Sequence, residues 1–339
     1  MINNLKNSRT TLLTLLALSS ALLLSITANA AQTRHHHGSN APIGIMGDHL
    51  MHENEWMLSY RFMNMNMEGN RTGTKRVNVS NTDFMVAPRK MKMAMHMLGG
   101  MFGINNDMTV MTMLPVIHTD MDLEIIAANP MQGTLFNTES SGIGDLKISA
   151  AWKNKTINAL LSAGLSVPTG SIDERSPIPV SAGVAVHSPY PMQLGSGTYD
   201  VLLGITRTGL VDNLNWGVQA RATIRTGAND NDYTLGNVFN IAAWLGTSIT
   251  ESIAGSLRIN ASNWENIDGS DTKLAAAPTV PTKNTNIRGG TRIDTLLGLD
   301  TTLGNNVLGI EIGIPVYQNL DGPQLENDLT IVIGWQVSY

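Results

Sequence analysis

Leu329-Thr330-Ile331-Val332-Ile333-Gly334-Trp335-Gln336-Val337-Ser338-Tyr339 is the stretch that decides how the rest is read. Leu329, Ile331, Ile333, Trp335, Val337 and Tyr339 are apolar or aromatic, and all but Val332 of the residues between them are small or polar. Successive side chains of a strand point to opposite faces, so this is a strand with one greasy face and one mostly small or polar face. Taken alone it fits the edge of a soluble β-sandwich. Its recurrence along the chain argues otherwise.

Trp56, Leu58, Tyr60 and Phe62 alternate with Met57, Ser59, Arg61 and Met63. Leu146, Ile148, Ala150 and Trp152 alternate with Lys147, Ser149 and Ala151, and Trp216 to Ile224 and Leu308 to Ile314 repeat the pattern. Twelve strands are expected, near 55–67, 90–103, 108–118, 143–153, 156–168, 198–208, 213–226, 237–248, 252–263, 290–302, 306–317 and 328–339. Short connections such as Asn105-Asn106-Asp107 and Gly304-Asn305-Asn306 alternate with long ones, and Asn, Asp and Gly suit tight turns. An even strand count with short periplasmic turns opposite long outer loops is the pattern of outer-membrane barrels. Lipid offers no partner to an open sheet edge, so the strands must close on themselves. The expectation is an all-β fold: a closed, antiparallel, up-and-down transmembrane β-barrel over 55–339. Trp56, Trp152, Trp216, Trp244 and Trp335 are assigned to its interfacial belts.

The address agrees. Lys6 and Arg9, an apolar run from Leu12 to Ile26 and then Ala28-Asn29-Ala30 describe a secretory signal peptide over 1–30. Its removal takes away two positive charges and moves the net charge from −5 to −7, which argues against a nucleic-acid partner. No cysteine is present, so disulfides and thiolate metal sites are excluded. Charged residues make up only 14%, sparse for a soluble surface and natural for a lipid-facing belt. Residues 31–54 read as an irregular periplasmic arm or a plug in the lumen. The expected location is the outer membrane of a Gram-negative bacterium. The expected partners are its lipid and the barrel-assembly machinery, because an aromatic residue ending the last strand resembles the terminal assembly signal.

Several phrases stand at strand and loop junctions: Ser141-Gly142-Ile143-Gly144-Asp145-Leu146, Val167-Pro168-Thr169-Gly170-Ser171, Gly195-Ser196-Gly197-Thr198-Tyr199-Asp200 and Asn319-Leu320-Asp321-Gly322-Pro323-Gln324. With Ile45-Met46-Gly47-Asp48-His49 and Met51-His52, they resemble the outer-membrane family labelled "putative MetA-pathway of phenol degradation" over roughly residues 44–339. That resemblance implies a barrel and a transport association, and it carries over no catalytic residue and no substrate.

Seventeen of the nineteen methionines lie between Met46 and Met131. Met91, Met93, Met95, Met97 and Met101 share one face of a strand, as do Met63, Met65 and Met67 one strand earlier. Thioethers select Cu(I), and imidazoles suit Cu(II), Ni and Zn. Candidate metal contacts are therefore His35, His36, His37, His49, Met51, His52, Met63, Met65 and Met67, with copper as cargo or ligand and no resident cofactor. Met is equally a flexible packing residue. Arg61 and Ser59 point the first Met face into the lumen; Lys92 and His96 would turn the second towards lipid, while Leu98 and Phe102 argue the reverse. His118 and His187, near outer loops, are expected in solvent. The acidic loop 119–141, with Asp120, Asp122, Glu124 and Glu139, could gather cations at the mouth.

Lumen-lining candidates are Arg61, Lys147, Arg221, Arg225, Arg258, Arg292, Asp294 and Glu311, with Asp300 beside them. Charges of both signs suit a water-lined interior. The functional expectation is a channel or transporter for a small solute, linked to copper or another soft metal, or else an uptake barrel for aromatic and hydrophobic compounds. A purely structural barrel and an outer-membrane lipid hydrolase are the remaining readings. The last needs a serine activated by a positioned histidine, and His96, the one histidine well inside a strand, has Ala94 and Leu98 as face neighbours.

Overall fold

The alternation is realised as walls of a ring. The computed structural model describes residues 41–79, 84–274 and 279–339, so the expected signal peptide and His35, His36 and His37 lie outside the described residues. The wall elements are β1 (Trp56–Gly73), β2 (Val86–Asn105), β3 (Met108–Ile125), β4 (Leu146–Asn154), β5 (Ala159–Val167), β6 (Asp200–Val211), β7 (Leu214–Ile224), β8 (Val238–Ser248), β9 (Ile253–Trp264), β10 (Gly290–Leu303) and β11 (Asn306–Ser338). Each pairs antiparallel with the next, and β11 pairs back onto β1, with Tyr60 opposite Trp335 and Phe62 opposite Ile333.

β11 is 33 residues long, which fully extended would reach about 110 Å. Instead Asn306–Leu320 pairs with β10 and Leu320–Ser338 pairs with β1. The Gln318 side chain accepts from Asn327 N–H at 2.9 Å and donates to the Asn327 carbonyl at 2.9 Å. The element therefore doubles back and supplies two crossings, so the eleven elements make the twelve walls expected. Among the described residues no helix is long and apolar enough to cross a membrane; the strands do the crossing.

The short turns carry left-handed residues where the sequence offers Asn, Asp or Gly: Asn158, Asp212 and Gly304 at φ 48°, 52° and 61°. They gather at the end of the ring that also holds Trp56 and Tyr339, whose rings stack at 4.5 Å. Leu58, Leu98, Ile148, Leu165, Leu203, Leu257, Leu297, Ile312 and Ile333 are exposed around the outside, a continuous apolar belt. Trp56, Trp152 and Trp335 are also exposed on the outside, as expected of an interfacial belt. Trp244 is not. It is 3% exposed and packs with Ala41, Ile45 and Ala242 inside the ring, because it pairs across from Arg258 and Gly217 on the inward side.

Two further expectations change. The acidic stretch 119–141 is mostly strand: β3 runs on to Ile125, and Leu135–Ile143 pairs back along it from Glu124 to Val116. Asn137 donates to both Asp120 and Asp122 at 3.0 Å, and Arg89 pairs with Glu124 at 2.8 Å, so these acids are engaged within a projecting hairpin. His187 is buried and paired with buried Asp271 at 2.7 Å, not solvent-facing; His118 is exposed.

Candidate functional site: the lumen and its two covers

Register decides which face is inside. Met57, Ser59 and Arg61 are buried while Trp56 and Leu58 are exposed, so the odd-numbered residues of β1 face the lumen. In β2 the partners of Met57, Arg61, Met63, Met65 and Met67 are Met101, Met97, Met95, Met93 and Met91. In β3 the partners of Met91, Gly99 and Met101 are Met121, Met113 and Met111. Directly opposed residues share a face, so twelve methionines line one side of the lumen, Met63, Met65 and Met67 among them. Lys92 and His96 are thereby sent outward, where His96 bonds the Tyr60 hydroxyl at 2.7 Å.

The remaining wall is polar. Arg258 grips Glu311 through two hydrogen bonds of 2.8 and 2.9 Å, a bidentate pair in which Glu311 is fully buried. Arg292 pairs with Asp294 at 2.9 Å, and Arg225 with buried Asp200. Lys147 and Arg221 also face inward and, among the described residues, have no ion-pair partner.

Residues 41–51 run inside the ring at the short-turn end. Arg61 donates to the carbonyls of Ile43 at 2.5 Å and Ile45 at 3.2 Å, Gly44 N–H donates to Glu311 at 2.8 Å, and Gln219 donates to the Met46 carbonyl at 2.9 Å. The small residues of the alternation are the seat: a Cβ on Gly334 would stand 2.3 Å from Ile43 Cγ1, and one on Gly309 2.7 Å from Ile43 Cβ. Met51 N–H donates to Thr109 Oγ1 at 2.9 Å, which fixes the end of the segment. His49 and His52 do not converge on a metal position: His49 bonds Asp48 at 2.9 Å and His52 is exposed. Among the described residues no three His, Asp or Glu side chains gather where a cation could be held.

The opposite end is covered by loops. Asp145 accepts from the N–H groups of Gly170 and Ser196 at 3.0 and 2.8 Å and from the Ser196 hydroxyl at 3.0 Å, and Asp200 accepts from Thr198 Oγ1 at 2.6 Å. Gly170 and Gly195 approach so closely that a Cβ on either would overlap the other's backbone. Three of the sequence phrases are therefore one knot. It anchors the long 168–199 loop, whose Tyr190 and Met192 are buried; Tyr190 meets Tyr233 edge-on at 5.0 Å.

Between the covers lies a cavity of about 80 Å³ lined by Met46, Met111, Met113, Lys147, Gln219 and Arg221. It is small beside the several hundred Å³ of a typical ligand pocket, about 300–1,000. Its two free cations stand beside thioethers, Lys147 as the direct cross-strand partner of Met113. Asp145, Asp200 and Gln219 were not among the sequence candidates. The glycine-rich phrases were the signal for the two acids, and nothing local marks Gln219.

A family model described as "Putative MetA-pathway of phenol degradation" matches residues 74–295. The chain belongs to this family. The match holds all three phrases of the knot and leaves out Ile45–His49 and Asn319–Gln324, so it is shorter than the resemblance over 44–339. Among solved structures, an outer membrane channel from Pseudomonas putida F1 is similar with a TM-score of 0.57 at 9% identity, covering 86% of this chain and 98% of that one. The β domain of the Bordetella autotransporter BrkA (TM-score 0.44, 11% identity, 85% and 100% covered) and the Pseudomonas putida toluene transporter TodX (0.39, 8%, 84% and 89%) are more distant. No curated protein matches the chain. The family member described here is an outer-membrane β-barrel.

Proposed function

We propose that this barrel is a channel for small amphipathic solutes, in which the methionine wall takes an apolar or aromatic body and the cations bordering it take a negative charge. The observation that carries the reading is the cavity itself, which Lys147 and Arg221, unpaired among the described residues, line together with Met111 and Met113. An unpaired cation in a confined space is costly unless an anion or water meets it. Met supplies a deformable apolar surface with favourable sulfur contacts to aromatic ring edges. A phenolate or small aromatic carboxylate has both halves, and the family's description points to the same chemistry. Passage requires residues 41–51 and the outer loops to move, since each closes one end. The assembly machinery is the implied partner in folding, because the seam between β1 and β11 must be closed in lipid.

Reconstituted into liposomes, the protein should admit benzoate faster than a neutral sugar of similar size, and Lys147→Met with Arg221→Met should remove that preference. Equal rates for both solutes, or no flux of either, would end this reading.

A further inference from the structure

The methionine wall has an internal order that solute packing does not require. Met57, Met101 and Met111 are direct cross-strand partners on three adjacent strands, so their thioethers leave the wall in one row. Met51 lies over that row from the internal segment, and Met51, Met57, Met101 and Met111 form a packed cluster whose apolar members are all methionine. The first three are 2%, 2% and 3% exposed. The arrangement repeats at the other end of the same strands. Met67, Met91 and Met121 are again direct partners, and Met192 from the 168–199 loop packs with them in a mixed cluster that also holds Leu123 and Val280. Met65 opposite Met93 and Met63 opposite Met95 are rungs between the two rows.

We propose that these rows are thioether sites for a soft monovalent cation of the Cu(I) or Ag(I) class, joined by the rungs into a path along one wall of the lumen. Thioethers gathered at a buried position suit a cation that binds sulfur and is weakly hydrated, and they discriminate against hard or divalent ions that need oxygen or imidazole. Filling alone does not call for this composition, since Leu and Ile pack with better-defined rotamers. Each row is completed by a methionine from a segment that is not part of the wall, so the cation would tie the internal segment at one end and the outer loop at the other. The inference is independent of the solute-channel reading, because it concerns binding and needs no transport.

The test uses the full barrel in detergent micelles, titrated with silver nitrate as a redox-inert probe and followed by calorimetry. The parent protein should bind Ag(I) at more than one site. Met57→Leu/Met101→Leu/Met111→Leu should lose one class of site, weakening it at least about tenfold, and Met67→Leu/Met91→Leu/Met121→Leu the other. X-ray absorption should show sulfur neighbours around bound Ag(I). Leu conserves volume, and if a triple variant fails to fold, Met51→Leu, which leaves the wall untouched, should alone weaken the inner site about tenfold. No Ag(I) binding by the parent, oxygen or nitrogen neighbours only, or unchanged affinity in the Leu variants would overturn the proposal.

Discussion

One lumen has two walls that solve burial in opposite ways. On β1 to β3 the inner face is filled by methionines, which need no partner and accept many shapes. On β9 to β11 it carries charges, and two pairs of them are matched: Arg258 with Glu311 and Arg292 with Asp294. The first wall can be altered piecemeal and can yield to whatever presses on it. The second holds its geometry, and through Glu311 and the Ile43 to Ile45 backbone it holds the internal segment too. The contrast places matched charges on one side and compliant thioethers on the side that a solute or a soft cation would touch, with residues 41–51 pinned from both, by Glu311 on one wall and by Arg61 and Thr109 on the other.

The sharpest way to break this contrast is Glu311→Ala. It strands Arg258 and frees Gly44 N–H, and loss of one partner of a buried pair costs about 3–5 kcal/mol. Denaturant unfolding of the refolded barrel should show that loss, and Arg258→Leu with Glu311→Leu should recover much of it. Next comes Gly334→Leu, which fills the seat of Ile43; overpacking of this kind costs about 1–3 kcal/mol. Planar-bilayer conductance should rise as the segment is expelled, and an unchanged trace would mean that residues 41–51 do not limit passage. Met95→Leu on the compliant wall should cost less than about 1.5 kcal/mol and leave the fold intact. A cost equal to that of Glu311→Ala would erase the distinction between the walls.

The smallest effect is expected outside both walls. Hydrogen bonds from Lys273 and then Asn231 hold the Asp173 carboxyl below its usual range. A depressed acid adds stability above its unfolded value, about 3.9, and that stability is lost as pH falls through the depressed folded value. Amide exchange in the 168–199 loop should therefore quicken only in strong acid, with Asp173→Asn giving a slight quickening at pH 7.

The strands were legible because period-two alternation and turn chemistry act locally: Trp56 to Phe62 and Ile331 to Val337 announce themselves and pair as an apolar belt requires. The faces of the Met stripe were not legible, because Lys92 and His96 on β2 look like lumen residues when read alone. They lie outside because β2 extends well past the span that lipid needs and because register to β1 fixes its parity. Trp244 misled for the same reason: tryptophan is at home in an interfacial belt, and only its opposition to Arg258 shows that it points inward. The 119–141 stretch looked like a loop for its acids, which a projecting hairpin accommodates as easily.

By itself, then, the order of residues fixed a ring of apolar-outward strands with turns of alternating length, since both depend on neighbours one to three positions apart. Which charges meet, where residues 41–51 lie and how methionines from three strands and two outside segments come into rows were decided only by closure and register. Those contacts join positions as far apart as Gly44 and Glu311, and no local pattern encodes a distance of that kind.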